Sequence, residues 1–232
     1  MATNPMFPTK ASIEFNYSEL KNVFAGACAP AALARLVERL AAQRVLLVAS
    51  TSLSLATDEF AELQSALGSN FAGLLNGIGP HTPRADVMRT LEAARDADAD
   101  LLVSLGGGSI IDACKVVQLA IDQGVESQAQ LIEYAQYGDG TRGSKYADFS
   151  LFKGDSKIRQ VAIPTTLSGA EFSNNASVLN TEISAKEGYR GIDLCPQTII
   201  YDPQLSLHTP QWLWLSTAIR SLDHAVEGYC SA

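Results

Sequence analysis

The chain has 232 residues, a formal net charge of −8 at neutral pH and 47% hydrophobic residues. This apolar share is enough to bury a core, and the length allows one domain or two. The acidic balance argues against a nucleic acid as partner, because a phosphate backbone calls for a basic patch. The four cysteines show no spacing typical of a metal or redox motif: Cys28, Cys114, Cys195 and Cys230.

No stretch has the length and apolar character of a membrane span. The first ten residues are polar and hold two prolines, unlike the apolar region of a signal peptide. The sequence therefore predicts a cytoplasmic protein without a membrane partner.

Residues 30 to 105 alternate between helical and strand patterns. Pro30 suits the first turn of a helix, and apolar residues then recur at helical spacing. Further helices are expected around Phe60 and after Thr82-Pro83. The continuous apolar run at Val45–Ala49 predicts a strand that is covered on both faces. Strands separated by helices of this length predict βαβ units and a parallel sheet, so the fold class is α/β.

Three consecutive glycines at positions 106–108 follow the apolar strand pattern of residues 101–105 and lead directly into a helical pattern. Glycines let the backbone approach a ligand closely, and a helix start offers free N–H donors to a phosphate. Ser109 and Asp112 have the spacing of a helix-capping box. The segment predicts a cradle for a nucleotide pyrophosphate. A tight strand-to-helix turn without a ligand is the alternative, because Ile111 stands where the common dinucleotide fingerprint has its third glycine.

Residues 137–157 are polar and glycine-rich, which predicts a surface loop, and strands are expected at residues 158–163 and Thr198–Tyr201. Asp202-Pro203 then interrupts the pattern, and residues 210–232 are predicted to be helical only. We expect an α/β dinucleotide-binding domain over residues 1–202. Residues 203–232 would be the first helices of a truncated all-helical domain.

Four segments, in this order and spacing, resemble the iron-containing (group III) alcohol dehydrogenase superfamily. They are Gly-Gly-Gly-Ser-x-x-Asp-x-x-Lys at 106–115, Ile-Pro-Thr-Thr-Leu-Ser-Gly-Ala-Glu at 163–171, Ile-Tyr-Asp-Pro-Gln-Leu at 200–205 and Leu-Asp-His-Ala-Val-Glu at 222–227. The short spacing from the Pro-Thr-Thr loop to Glu171 is similar to that of maleylacetate reductases. So is His81-Thr82-Pro83, a turn that borders the cofactor cleft in the family.

The resemblance implies a dehydroquinate-synthase-like architecture, with the active site between a dinucleotide-binding domain and an all-helical domain. It implies hydride transfer between NAD or NADP and a small alcohol or carbonyl substrate, and it also implies a homodimer. By position, the residues that match the pyrophosphate loop are Gly107, Gly108, Ser109 and Asp112. Those that match the second cofactor loop are Thr165, Thr166 and Leu167.

His224 matches the position of the first metal ligand, for iron or zinc, and is also a candidate catalytic residue. Many metal-dependent members carry an aspartate four residues earlier, where this chain has Arg220. A guanidinium one helical turn away repels a divalent cation, and Asp223 points to another side of the helix. Glu227 shares the face of His224, but an ion pair with Arg220 is its simpler role. We therefore expect no stoichiometric metal on this chain, with His224 as a polar or proton-donating group in the substrate cleft.

The strand at Val45–Ala49 should end beside the adenosine ribose, where members that prefer NAD place an acidic residue. This chain has Ser50 followed by Thr51 and Ser52, so NADP is allowed. No nearby arginine clearly selects it, since Arg84 and Arg89 are expected on a solvated helix face.

Two other functions fit the same motifs. One is a nucleotide-binding module without turnover. The other is a lyase of the dehydroquinate-synthase type, which uses NAD transiently.

Overall fold

The structure, a computed structural model, describes residues 19–56, 58–146 and 156–231. Its main feature is a six-stranded parallel sheet with the strand order β1-β9-β6-β4-β2-β3. The strands of this sheet are β1 (Asn22–Ala25), β2 (Val45–Ala49), β3 (Phe71–Asn76), β4 (Leu101–Gly106), β6 (Arg159–Pro164) and β9 (Thr198–Tyr201).

Helices cover both faces of this sheet. They are α1 (Ala29–Leu40), α2 (Thr51–Ala56), α3 (Asp58–Leu67), α4 (Arg84–Asp96), α5 (Gly108–Asp122), α6 (Gln128–Ile132) and α7 (Pro203–Ser206). A further helix, α8 (Gln211–Cys230), buries none of its residues. In β2, Leu46 and Val48 pack in the core that contains α4 and α5, whereas Val45 and Leu47 pack in the core that contains α1 and α3. This alternation follows the two-residue period of a strand. The predicted α/β fold with a parallel sheet is confirmed.

A second, antiparallel sheet has the order β5-β8-β7, formed by β5 (Gln136–Tyr137), β8 (Ala185–Arg190) and β7 (Asn175–Asn180). The sequence analysis did not predict it, because these strands are polar and bury only every second residue. Of the surface loop predicted at 137–157, Tyr137 belongs to β5, and residues 147–155 lie outside the described residues.

The start of α5 differs from the expected capping box. The helix begins at Gly108, and no side chain caps its first turn. The hydroxyl of Ser109 instead accepts a hydrogen bond from the backbone N–H of His81, and the carboxylate of Asp112 accepts one from the N–H of Ser177. The side chains of Ser109 and Asp112 thus bind the backbone of neighbouring segments instead of capping the helix, so the capping-box interpretation was wrong.

Beyond Tyr201 the described residues form α7 and α8. Asp202 caps α7 by accepting the N–H of Gln204 at 3.0 Å, and Pro203 occupies the first turn. Helix α8 leaves an apolar stripe exposed: Trp212, Leu215, Ile219, Leu222, Val226 and Tyr229. The domain boundary at residue 202 stays a prediction. Over the described ranges, no helix combines the length and apolar character needed to cross a bilayer.

Candidate functional site

The carboxyl ends of β2, β4 and β6 meet at one edge of the parallel sheet. The N–H of Ser50, just past β2, donates to the carbonyl of Leu105 at 2.9 Å. The N–H of Thr165, just past β6, donates to the carbonyl of Gly106 at 3.0 Å. Open α/β sheets bind ligands outside this edge. The structure therefore brings together Ser50, the glycine turn (residues 106–108) and the second cofactor loop (residues 165–167), as the sequence predicted.

The glycine turn packs tightly against the second loop. A Cβ on Gly107 would lie 3.1 Å from Cγ2 of Thr166, and a Cβ on Gly108 would lie 3.0 Å from Oγ of Ser168. Gly106 has a φ of 147°, a backbone conformation that side chains disfavour. These contacts explain why three glycines stand in a row. They also show that a side chain at Gly108 would press on the neighbouring loop.

A buried polar atom beside the glycine turn has no hydrogen-bond partner among the described residues. It is Oγ1 of Thr166, beside Gly107. An unpaired buried hydroxyl is costly unless a ligand or water satisfies it. The amides of Gly108 and Ser109, in the first turn of α5, also lack an acceptor within the described part of the chain. These donors fit the pyrophosphate of a dinucleotide.

The other two residues of the second loop are engaged by the C-terminal segment. The carbonyl of Thr165 accepts the hydroxyl of Thr209 at 2.6 Å. The N–H of Leu167 donates to Oγ1 of Thr217 at 3.1 Å, and the carbonyl of Leu167 accepts the hydroxyl of Ser221 at 2.6 Å. These bonds hold α8 against the loop, so the backbone of Leu167 is already paired.

Asp112 and Lys115, three residues apart on α5, form an ion pair with 3.5 Å between Oδ1 and Nζ, and the side chain of Lys115 is fully buried. The ammonium also donates to the carbonyls of Ala170 and Asn175 and to the hydroxyl of Ser173. Burial raises the pKa of Asp112 and lowers the pKa of Lys115, and each partner opposes the shift of the other. Asp112 and Lys115 thus anchor the segment that follows the cofactor loop.

The turn at His81 and Thr82 lies directly against the start of α5. Both residues have positive φ angles, 62° and 58°, which is uncommon for residues other than glycine. The hydroxyl of Thr82 donates to the carbonyl of Ser109 at 2.9 Å. The turn therefore borders the glycine loop, as the resemblance implied.

A cleft of about 1280 Å³ lies beside the second loop, and His224 lines it together with Asp112 and Ser168. The antiparallel sheet supplies part of its wall, including Lys186 and Tyr189. Sequence analysis did not identify these two residues, since nothing in their local pattern distinguishes them from surface positions. The cleft places a histidine next to one end of the predicted cofactor site.

The site around His224 has few metal donors. Asp223 forms an ion pair with Arg220, and both side chains are largely exposed. Within the described ranges, no three His, Cys, Asp or Glu side chains come together as a ligand set. A structural zinc site takes four such ligands and a catalytic one takes three. Away from this site, Nε2 of His208 lies 2.9 Å from a carboxylate oxygen of Glu59.

Of the two arginines of α4 that were expected on a solvated helix face, Arg89 is exposed and Arg84 is not. Arg84 is buried, and its Nη1 donates to Glu187 at 2.8 Å, so that prediction was wrong for this residue. Arg89 is about half exposed, but its Nη2 donates to the carbonyl of Gly77 at 2.8 Å. Sequence periodicity did not show this contact, because it depends on where α4 crosses the end of β3.

Comparisons with known proteins agree with this geometry. Residues 21–203 match the family described as iron-containing alcohol dehydrogenase. The chain is 35% identical over 191 residues to Dehydrogenase ALT3 of Alternaria alternata, covering 80% of this chain and 46% of that protein. It is 36% identical over 204 residues to Dehydrogenase FUM7 of Gibberella moniliformis, covering 85% and 46%.

A crystal structure of maleylacetate reductase from Agrobacterium tumefaciens superposes with a TM-score of 0.69 and 25% identity, covering 94% of this chain and 51% of that one. The chain thus spans about half the length of the relatives it matches. The match over most of its residues, with the glycine turn and the Pro-Thr-Thr loop at one sheet edge, settles its classification. The chain belongs to the iron-containing alcohol dehydrogenase family.

Proposed function

We propose that this chain acts as an oxidoreductase that transfers hydride between NAD or NADP and a small alcohol or carbonyl substrate. The observation that carries the proposal is the unpaired hydroxyl of Thr166, buried beside the glycine turn. Such a group needs a partner, and the pyrophosphate of a dinucleotide supplies acceptor oxygens at that position. The dehydrogenases and the reductase to which the chain is similar support the same activity.

In this proposal, different residues near the sheet edge bind the cofactor and transfer a proton to or from the substrate. The amides of Gly108 and Ser109 and the hydroxyl of Thr166 bind the pyrophosphate. The bound nicotinamide supplies or accepts the hydride at the substrate carbon. His224, which lines the cleft, gives a proton to the carbonyl oxygen during reduction and accepts it during alcohol oxidation. An alcohol-dehydrogenase-like reaction follows this scheme, and a maleylacetate-reductase-like reaction is the other nicotinamide-dependent activity that the similarity supports.

The family name implies iron, but the described residues do not fit a metal. The cationic Arg220 lies one turn from His224 and is paired with Asp223, so neither offers a ligand. The proposed reaction therefore uses the bound nicotinamide and His224 and involves no metal. The cytoplasmic location and the homodimer stay predictions.

The test is net turnover of NADH or NADPH with a panel of aldehydes and ketones, followed by absorbance of the reduced nicotinamide. We expect oxidation that depends on the carbonyl compound and that falls at least about tenfold in His224→Ala, since general acid catalysis contributes on the order of a hundredfold. Cofactor binding without turnover would instead support a binding module. Substrate conversion without net oxidation of the nicotinamide would support a lyase.

A further inference from the structure

The ends of β2 and β3 form a small polar recess next to the glycine turn. These strands are parallel neighbours, with Ala49 paired to Asn76. Ser50 and Thr51 therefore lie beside Gly77. A Cβ on Gly106 would be 3.4 Å from Cβ of Ser50, so the recess adjoins the proposed pyrophosphate site. A dinucleotide bound at the glycine turn would place its adenosine ribose here.

Arg89 reaches this recess from α4. Its Nη2 donates to the carbonyl of Gly77 at 2.8 Å and to that of Asn76 at 3.4 Å, and it lies 3.0 Å from Oδ1 of Asp86. All three contacts fall on one nitrogen. Its Nε and Nη1 have no hydrogen-bond partner among residues 19–56, 58–146 and 156–231. The guanidinium is thus held in place by Nη2, and its Nε and Nη1 are available to bind an anion.

Donors of two side chains, Arg89 and Thr51, lie within 4 Å of a Cβ built on Gly77. A Cβ built on Gly77 would lie 3.9 Å from Nη1 of Arg89 and 4.0 Å from Oγ1 of Thr51. Gly77 has a positive φ of 79°, so a side chain is disfavoured at this position. An anion above Gly77 would therefore meet a guanidinium and a hydroxyl together.

A carboxylate, that of Asp86, lies beside this guanidinium and offsets part of its positive charge. Asp86 accepts the N–H of Gly79 at 2.8 Å through Oδ2 and contacts Arg89 through Oδ1. Both oxygens are engaged, and their effect is to orient the guanidinium. Ser50 stands where a carboxylate would take the ribose 2′-hydroxyl and repel a 2′-phosphate.

We propose that Arg89, with the hydroxyls of Ser50 and Thr51, binds the 2′-phosphate of NADPH and makes NADPH the preferred cofactor. A guanidinium binds phosphate through charge-assisted hydrogen bonds, and an arginine near this strand end is a general device for accepting a 2′-phosphate. The inference rests on the proposed function, because it needs a nicotinamide dinucleotide at the glycine turn.

The experiment is calorimetric titration with NADPH and with NADH. Wild-type protein should bind NADPH at least about tenfold more tightly than NADH, since a hydrogen bond to a charged group is worth that factor or more. Arg89→Met should abolish the preference by weakening NADPH and leaving NADH nearly unchanged. Arg95→Met is the matched control: its guanidinium also donates to a backbone carbonyl, that of Val125, but from the other end of α4. Arg95→Met should keep the preference for NADPH over NADH.

A second measurement needs no variant. Adenosine 2′,5′-bisphosphate should bind wild-type protein more tightly than adenosine 5′-monophosphate. An unchanged NADPH-to-NADH ratio in Arg89→Met, or a wild-type preference for NADH, would overturn the role of Arg89. If neither dinucleotide binds at all, the proposed function itself fails, and this outcome is distinct from a lost preference.

Discussion

Glu187 is the residue that connects α4 to the strands of the antiparallel sheet, which form part of the cleft wall. Its carboxylate is fully buried and accepts hydrogen bonds from Arg84, Asn180 and Tyr189, with distances of 2.8 to 3.1 Å. Tyr137 donates to it as well, at 3.4 Å. These donors come from α4 and from all three strands of the antiparallel sheet. A buried charge of this kind is tolerated only because it is paired, so each partner becomes hard to remove.

Arg84→Met should therefore lower the free energy of unfolding by about 3–5 kcal/mol, because the buried carboxylate of Glu187 loses its counter-ion. The measurement is urea unfolding followed by circular dichroism. Arg220→Met is the matched control, since its ion pair with Asp223 is exposed and is expected to contribute at most about 1 kcal/mol. If Arg84→Met lowers the free energy of unfolding no more than Arg220→Met does, Arg84 does not stabilise the sheet.

Among the elements, α5 organises the site. Its first turn packs against Thr166 and Ser168, and its second turn fastens residues 170–177 through Asp112 and Lys115. One helix thus holds the glycine turn, the second cofactor loop and the start of β7. Fixed loop positions lower the entropy cost of binding a long cofactor.

The pH dependence of stability tests the role of Lys115. Burial lowers its pKa below the ordinary value of 10.5, so the unfolded chain binds this proton more tightly than the native state. Between the lowered native pKa and 10.5, stability should therefore rise with pH, and this gain disappears in Lys115→Met. We expect the difference in free energy of unfolding between wild type and Lys115→Met to grow as the pH rises from the lowered native pKa toward 10.5.

Lys21→Met provides the comparison, since Lys21 is exposed and its nearest carboxylate is that of Glu19. If the difference for Lys115→Met varies with pH no more than the difference for Lys21→Met does, Lys115 titrates alike in the folded and unfolded chain.

At the scale of the whole molecule, the sequence predicted what depends on local pattern. The buried strands at Val45–Ala49 and Leu101–Gly106 are continuous apolar runs, and the glycine turn lies where the strand pattern stops. The antiparallel sheet and the buried Arg84 could not be predicted this way. Their environment depends on residues such as Glu187, 103 positions away along the chain. The contacts of Arg89 were not predicted for the same reason. The carbonyl groups that accept its hydrogen bonds lie at the end of β3 and not on its own helix.

The central claim is that a nicotinamide dinucleotide binds at the edge where β2, β4 and β6 end. Calorimetric titration of Gly108→Val with NADPH tests it most directly, because the added side chain displaces Ser168 from the glycine turn. Gly228→Ala is the control, since a Cβ there meets nothing within 4 Å. We expect one site per chain in wild type and in Gly228→Ala, and affinity at least about tenfold weaker in folded Gly108→Val. Undiminished affinity in Gly108→Val, or no binding to wild-type protein, would contradict the account.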